Sequence, residues 1–198
     1  MLPDYGPIFV PGRIGPSAAL VILTRRPIVG EPRHLRLSNG LFEGGRGLRK
    51  GALSCTIDGV ELVNFHLRAN PKGQRDPLHP RVVAQAAQVD ALIAFVNSLQ
   101  PGPKVVAGDS NIEWGGDLYC RLVEGARLIN PFDGTATISA LGGGFCVDFI
   151  FIAGWGEVDT QTSHLFTGRT AEWTKARQWR RMGVVSDHEG LSLRLTCT

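Results

Sequence analysis

Apolar residues in this sequence fall into several runs of strand length and one longer run with helical spacing. The strand-like runs lie at 18–24, 48–57, 60–67, 145–153 and 191–196, with a short buried strand around Val105-Val106. Asp58-Gly59 separates two alternating runs, which predicts a hairpin. The second hairpin strand should place two sets of side chains on opposite faces, Val63, Phe65 and Leu67 on one and Leu62, Asn64 and His66 on the other.

Two helices are predicted between the strands. Residues 81–99 should be helical, because apolar residues recur there at intervals of three and four, at Val82, Ala86, Val89, Ile93 and Val96. Residues 118–126 predict a shorter helix with Leu118, Leu122 and Val123 inward. Residues 28–47 mix charges with glycines such as Gly40, Gly44, Gly45 and Gly47 and are predicted to be a mobile connection, and 155–184 is ambiguous. Strands outnumber helices, so we expect an α/β fold of two packed, mostly antiparallel sheets flanked by helices.

Composition and charge narrow the class of protein. The 198 residues are 43% hydrophobic and 20% charged, which indicates one globular domain over residues 1–198. The net charge of +3 is compatible with an anionic substrate without requiring one. No apolar run approaches the roughly 20 residues of a membrane span, and the first residues lack the pattern of a signal peptide. A cytoplasmic protein is expected. The four cysteines form no CxxC pair and are interpreted as buried or neutral residues.

The stretch KVVAGDSN at 104–111 brings polar groups to the end of a strand. Asp109, Ser110 and Asn111 supply a carboxylate, a hydroxyl and an amide at one strand end. The alternative is a polar Asx-type turn, which Asp and Asn both favour. His66 lies within a strand, where a histidine is more often a structural hydrogen-bonding residue.

Two later stretches carry further candidates. Asp148 interrupts the apolar run FCVDFIFI, where a buried carboxylate is costly unless it has a cationic or imidazole partner. The alternative is an edge strand with Asp148 facing solvent. Asp187 and His188 precede the last strand, and adjacent side chains diverge, so one can meet a metal and the other the substrate. This set of carboxylates, imidazoles and an amide fits hydrolysis of a phosphoester by a metal ion and water.

The order of these motifs resembles a known group of enzymes. NFHL, VVAGDSN, VDFIFI and VVSDHEG follow one another as in the endonuclease/exonuclease/phosphatase superfamily, which includes DNase I-like nucleases, abasic-site endonucleases, bacterial neutral sphingomyelinases and inositol-phosphate phosphatases. The resemblance extends from Ala18, where AALVILTRRPI resembles a strand of that family, to the C-terminus. It implies a four-layer α/β sandwich.

The resemblance also implies a role for each candidate residue. It places Asp109 and Asn111 at the metal and phosphate, and His66 as a phosphate-stabilising or proton-donating residue. It implies Asp148 orienting His188 as general base, with Asp187 near the metal. The implied cofactor is Mg²⁺, with Mn²⁺ as the alternative. The implied substrate is a phosphoester in nucleic acid, a phospholipid head group or an inositol phosphate.

A group of residues after His66 bears on the branch of the family. HLRAN at 66–70, followed by Arg81 and then Gln85 or Gln88 on a helix, resembles the sphingomyelinase-like branch more than the abasic-site branch. The helical residues are equally well interpreted as plain surface positions.

The sequence departs from the family pattern at its start. The family opens with a "TYN" strand and a "QE" helix that carries the main metal-binding Glu, and neither occurs before Ala18. This predicts either an N-terminally truncated fragment or a lineage without its first strand, and weak binding of Mg²⁺. The alternative function is therefore a non-catalytic remnant that binds nucleic acid or a phosphorylated partner.

A basic, Trp-containing stretch lies near the end of the chain. Residues 173–181, WTKARQWRR, interleave two Trp with basic residues and could contact phosphates or a lipid surface. The favoured interpretation is a solvated helix with both Trp side chains turned inward.

Overall fold

The computed structural model describes residues 6–9, 20–37, 50–70, 76–137, 145–165, 170–175, 179–184, 188 and 190–197. Its elements follow in the order β1 (Gly6–Phe9), β2 (Val21–Thr24), β3 (Ile28–Arg36), β4 (Gly51–Ile57), β5 (Val60–His66), α1 (Pro80–Asn97), β6 (Lys104–Asp109), α2 (Asp117–Gly125), β7 (Asp148–Ala153), β8 (Val158–Leu165), β9 (Thr170–Lys175), β10 (Trp179–Val184) and β11 (Gly190–Cys197). Within these ranges, no helix combines the length and apolar character needed to cross a membrane.

Five strands form a central sheet in the order β3–β4–β5–β6–β7. The predicted hairpin is confirmed, because β4 and β5 pair antiparallel and Asp58 and Gly59 turn between them with φ of 50° and 80°. β5 and β6 are parallel, and α1 makes the crossover that a parallel pair requires. β7 runs antiparallel to β6 at the edge of the sheet.

One face of the central sheet packs against both helices and forms the main hydrophobic core. β5 contributes Val63 and Phe65, β7 contributes Phe151, and α1 contributes Val89 and Leu92. Each of these side chains is at most 2% exposed. The alternation predicted for β5 is confirmed, since every second residue enters this core.

Both predicted helices are present, but the buried side of α1 differs from the predicted one. Val89 and Val96 are buried as predicted, whereas Val82, Ala86 and Ile93 are only partly buried. The other buried residues of α1 are Gln85, Gln88, Leu92 and Phe95. A pattern of apolar residues alone misses the two glutamines, because their amides are buried with hydrogen-bond partners. In α2, Leu122 is buried and Leu118 and Val123 pack against the core, as predicted.

The second face of the central sheet has its own apolar cluster. Leu20 and Ile22, at the start of β2, pack with Leu53, Cys55 and Ile57 of β4. β2 pairs with β1, β8 pairs with β11, and β11 also contacts β7. The chain therefore has the mixed α/β arrangement predicted from its sequence, with stacked sheets and flanking helices.

The prediction of a mobile connection over residues 28–47 is wrong for its first part. Ile28–Arg36 is strand β3, which pairs with β4 at the edge of the sheet. The register shifts between Val29 and Arg33, and this bulge accommodates Pro32, which cannot donate to the ladder. Most β3 side chains are exposed, so the strand shows no apolar alternation. Residues 38–47 lie outside the described part of the chain.

The helix predicted for 173–181 is also wrong. Trp173 lies in β9 and Arg181 in β10, and the two residues are direct partners in an antiparallel ladder. Residues of high β-propensity, such as Thr170, Trp173 and Thr174, favour this hairpin over a helix. The ambiguous region 155–184 thus contains three strands, β8, β9 and β10, among the residues the structure describes.

Candidate active site

Three of the predicted site residues lie side by side across the central sheet. His66 of β5 is opposite Asp109 of β6, and Asp109 is opposite Asp148 of β7. Opposed residues project from the same face of a sheet. His66 faces away from the main core, because its neighbours Phe65 and Leu67 are buried in that core. The second face of the sheet therefore brings one imidazole and two carboxylates together.

His188 reaches this row from near the C-terminal end of the chain. It lies two residues before β11, and β11 contacts β7, which begins at Asp148. His188 Nδ1 is 2.7 Å from Asp148 Oδ2, and the two side chains are 31% and 18% exposed. The alternative of a solvent-facing Asp148 therefore does not hold. A carboxylate only accepts hydrogen bonds, so an ionised Asp148 takes this bond from Nδ1–H and leaves the lone pair of a neutral His188 on Nε2.

The end of β6 is held in one conformation by hydrogen bonds. Asn111 has a φ of 50°, and its N–H donates to Asp109 Oδ1 at 2.9 Å, which is the Asx-type turn considered above. Asn111 Nδ2 donates to the carbonyl oxygen of Leu67 at 3.0 Å. The fully buried Ser110 hydroxyl donates to the carbonyl oxygen of Val147 at 2.7 Å. The turn thus places Asn111 beside Asp109, so the Asx-type turn and the candidate site are formed by the same residues.

No protein-family model and no curated protein matches the sequence. Among solved structures, an endonuclease/exonuclease/phosphatase from Beutenbergia cavernae superposes with a TM-score of 0.64 at 20% identity, over 88% of this chain and 46% of that chain. A sphingomyelinase C from Streptomyces griseocarneus superposes with a TM-score of 0.56 at 15% identity, over 87% of this chain and 66% of that chain.

A third solved structure contains metal. A beta toxin variant from Staphylococcus aureus with bound magnesium ions superposes with a TM-score of 0.61 at 16% identity, over 92% of this chain and 70% of that chain. The chain has the DNase I-like fold. It spans less than half of the Beutenbergia chain and about two thirds of the other two.

The two carboxylates of this row, Asp109 and Asp148, have different electrostatic environments. Burial acts to raise the pKa of Asp109, but hydrogen bonds from His66, 3.1 Å away, and from the Asn111 amide outweigh it, and the pKa falls below its usual range. Burial also raises the pKa of Asp148, and there it outweighs the hydrogen bonds from Thr137 and His188. The surroundings of Asp109 therefore favour its negatively charged form, which is the form that binds a cation.

Two buried glutamines support the loops at the strand ends, and the sequence alone indicates either motif residues or surface positions for them. Gln85 Nε2 donates to the carbonyl oxygens of Arg68 at 2.9 Å and Asn111 at 2.8 Å. Gln88 Oε1 accepts from the Arg68 N–H at 2.8 Å. Both side chains are under 5% exposed, so the interpretation as surface positions is wrong. Their spacing of three on a helix places them on one face, and the glutamines thus join α1 to the loops that follow β5 and β6.

Thr137 is a site neighbour that sequence reasoning missed. It is 1% exposed, and its hydroxyl oxygen accepts from the N–H groups of Val147 and Asp148 at 3.2 Å each. The hydroxyl also hydrogen-bonds the Asp148 carboxylate. Thr137 therefore orients the carboxylate that holds His188. The sequence offers no local signal for this role, because Thr137 lies in a loop eleven positions before its partner.

Lys50 is a second missed residue. Its ammonium group contacts His66 Nε2, although Lys50 comes just before β4 and His66 is the last residue of β5. A single Lys at the start of a strand has no distinctive pattern, so only the fold reveals its place. The site therefore contains a positive charge of the chain itself beside Asp109 and His66.

The donor atoms of the site suit a hard divalent cation. Asp109 offers a carboxylate whose surroundings favour its charge, and Asn111, two residues later, carries an amide oxygen. Mg²⁺ prefers oxygen ligands of these kinds. Ligand atoms of Asp109, Asp148 and His188 also lie within 4.8 Å of one another. Asp109 is common to this group and to the predicted metal set. The third predicted ligand, Asp187, lies outside the described residues.

Proposed function

We propose that this protein is a metal-dependent hydrolase of phosphoester bonds. The observation that carries the proposal is the row of His66, Asp109 and Asp148 across three strands, with His188 hydrogen-bonded to Asp148 at 2.7 Å. An imidazole held by a buried carboxylate is suited to take a proton from water. The DNase I-like fold, shared with a sphingomyelinase, supports the same class of reaction.

In the proposed reaction, His188 is the general base. Asp148 accepts from Nδ1–H, so the lone pair on Nε2 is available to take a proton from a water molecule as its oxygen attacks phosphorus. The bond from phosphorus to the leaving oxygen then breaks, that oxygen takes a proton from solvent water, and His188 returns its proton to solvent. His66 and Asn111 lie close enough to Asp109 to donate to phosphate oxygens as negative charge develops on them.

A divalent cation would supply charge neutralisation in this reaction. Asp109, Asn111 and Asp187 would hold the ion, with Mg²⁺ as the proposed cofactor and Mn²⁺ as the alternative. Mg²⁺ binds through one or two carboxylates and keeps several waters, so these three residues would hold it, although weakly, because they include no further carboxylate. The magnesium in the beta toxin structure supports this choice. The proposed substrate is a phosphodiester, and the sphingomyelinase neighbour supports a phospholipid head group as one candidate.

The decisive experiment compares the wild-type chain with His188→Ala. We expect hydrolysis of bis-p-nitrophenyl phosphate in Mg²⁺, its loss in EDTA, and a fall of about two to four powers of ten in kcat for His188→Ala. Circular dichroism should show that the variant is folded. Equal rates for the two proteins would exclude His188 as the base. A folded wild-type chain with no activity in Mg²⁺ or Mn²⁺ would instead favour the non-catalytic alternative.

A further inference from the structure

Lys50 is fixed at the end of the sheet that carries the site. Its carbonyl oxygen accepts from the Leu37 N–H at 3.1 Å, and the next residue, Gly51, is the direct partner of His66 in the ladder of β4 and β5. A side chain on Gly51 would come within 2.5 Å of the Leu35 carbonyl oxygen, so the β3 and β4 backbones are closely paired there. The backbone therefore holds Lys50 close to the end of β5, and the Lys50 ammonium contacts the His66 imidazole.

The contacts around His66 place opposite charges at one nitrogen. Nε2 of His66 contacts the Lys50 ammonium and also lies 3.1 Å from Asp109 Oδ2. An ammonium only donates hydrogen bonds and a carboxylate only accepts them. Nε2 of His66 can accept from the ammonium when it has a lone pair, or donate to the carboxylate when it carries a proton. Nε2 of His66 can therefore form a hydrogen bond with either Lys50 or Asp109 at one time, but not with both. The ammonium carries three donors, so it can contact an incoming acceptor without leaving His66.

The row of His66, Asp109 and Asp148 contains two carboxylates, so positive charge is needed beside it for an anionic phosphate to bind. Asp109 and Asp148 lie on adjacent strands of one face, and both would repel an anionic phosphate. Lys50 contributes a fixed positive charge to that face through its contact with His66. Lysine binds phosphate as a compact point charge, and charge-assisted hydrogen bonds are about twice as strong as neutral ones.

We propose that Lys50 is a phosphate-binding catalytic residue of this site, which donates to a non-bridging oxygen of the substrate phosphate. Its part in the reaction rests on the proposed function, but its binding of phosphate does not. Lys50 stabilises the anionic phosphate in the ground state and the larger negative charge on the same oxygens during attack.

The first test measures binding of inorganic phosphate by calorimetry in EDTA, where no metal contributes. Lys50→Met keeps the length of the side chain without its charge and should weaken binding by about tenfold, a typical effect of one charge-assisted hydrogen bond. Lys50→Arg should retain most of the affinity. Lys104→Met is the matched control, because Lys104 begins β6 about 16 Å from Asp109 at the rise of an extended strand. Unchanged binding in Lys50→Met, or equal losses in the Met and Arg variants, would overturn the proposal.

The second test uses the wild-type chain and does not depend on a variant folding. Reductive methylation followed by mass spectrometry should show that phosphate protects Lys50 and leaves Lys104 equally reactive. Equal protection of both lysines, or of neither, would overturn the proposal. Neither test requires turnover, so Lys50-dependent phosphate binding in a chain that hydrolyses nothing would contradict the proposed function alone.

Discussion

Asp148→Asn tests the central pair of the site with a minimal change. The substitution keeps the size of the side chain and an oxygen that can accept from Thr137, but it replaces the partner of His188 with an amide. When the amide nitrogen faces His188, it donates to Nδ1, whereas the carboxylate accepts from it at 2.7 Å. The imidazole must then carry its proton on Nε2, which is the nitrogen proposed to receive the proton of water.

The expected loss follows from this change of tautomer. A general base held with its lone pair on the wrong nitrogen loses most of its contribution, which is about two to four powers of ten. At 1.36 kcal/mol per tenfold change in rate, this corresponds to about 3 to 5 kcal/mol of activation free energy. The free energy of unfolding should change far less, because burial already disfavours the ionised form of Asp148, as its raised pKa shows.

The assay is kcat/KM for bis-p-nitrophenyl phosphate, with the unfolding midpoint measured in parallel. Asp90→Asn is the matched control, since Asp90 also forms a 2.7 Å bond, to Arg121, but is 48% exposed on the surface. Exposed pairs of this kind contribute little, so the control should keep both activity and stability. An Asp148→Asn variant with more than about a third of the wild-type kcat/KM would refute the role of Asp148 in orienting His188.

Two further predictions concern packing. Gly108→Ala should lower the free energy of unfolding by about 1–3 kcal/mol or more, because its Cβ would lie 1.9 Å from the Phe65 carbonyl oxygen and force β5 and β6 apart. Gly156→Ala, with no atom within 4 Å, is the control in urea unfolding, and equal stabilities would contradict this close approach. Ellman's reagent should modify the exposed Cys120 and Cys197 quickly, whereas Cys55 and Cys146, whose pKa values burial raises to about 11 and about 12, should react only in denaturant. Fast modification of all four thiols would show that the two buried ones are not protected by the fold.

Much of the local structure of this protein can be predicted from its sequence. Asp58-Gly59 indicated the hairpin of β4 and β5, and the alternation of Val63 and Phe65 identified the core face of β5. Turn chemistry and side-chain periodicity act within a few residues, so a single chain displays them directly. The chemistry of Asp148 was also visible, because a carboxylate within an apolar run needs a partner.

Other features depend on partners that are distant in sequence. None of the β3 residues is buried, and the segment is a strand because it pairs with β4. Gln85 is buried on α1 because the carbonyl oxygens of Arg68 and Asn111 accept its hydrogen bonds. Neither partner can be inferred from the amphipathic pattern of the helix, since that pattern counts apolar residues only.

The candidate site also combines features that the sequence predicts with features that depend on distant partners. The sequence by itself singled out His66, Asp109, Asp148 and His188 by residue type and position. Only the tertiary structure set His66, Asp109 and Asp148 in register, brought His188 across forty positions, and added Lys50 and Thr137. The physical reason is that no tight turn joins β5, β6 and β7, so their register is decided by pairing between distant segments, such as the close approach of Gly108 to Phe65.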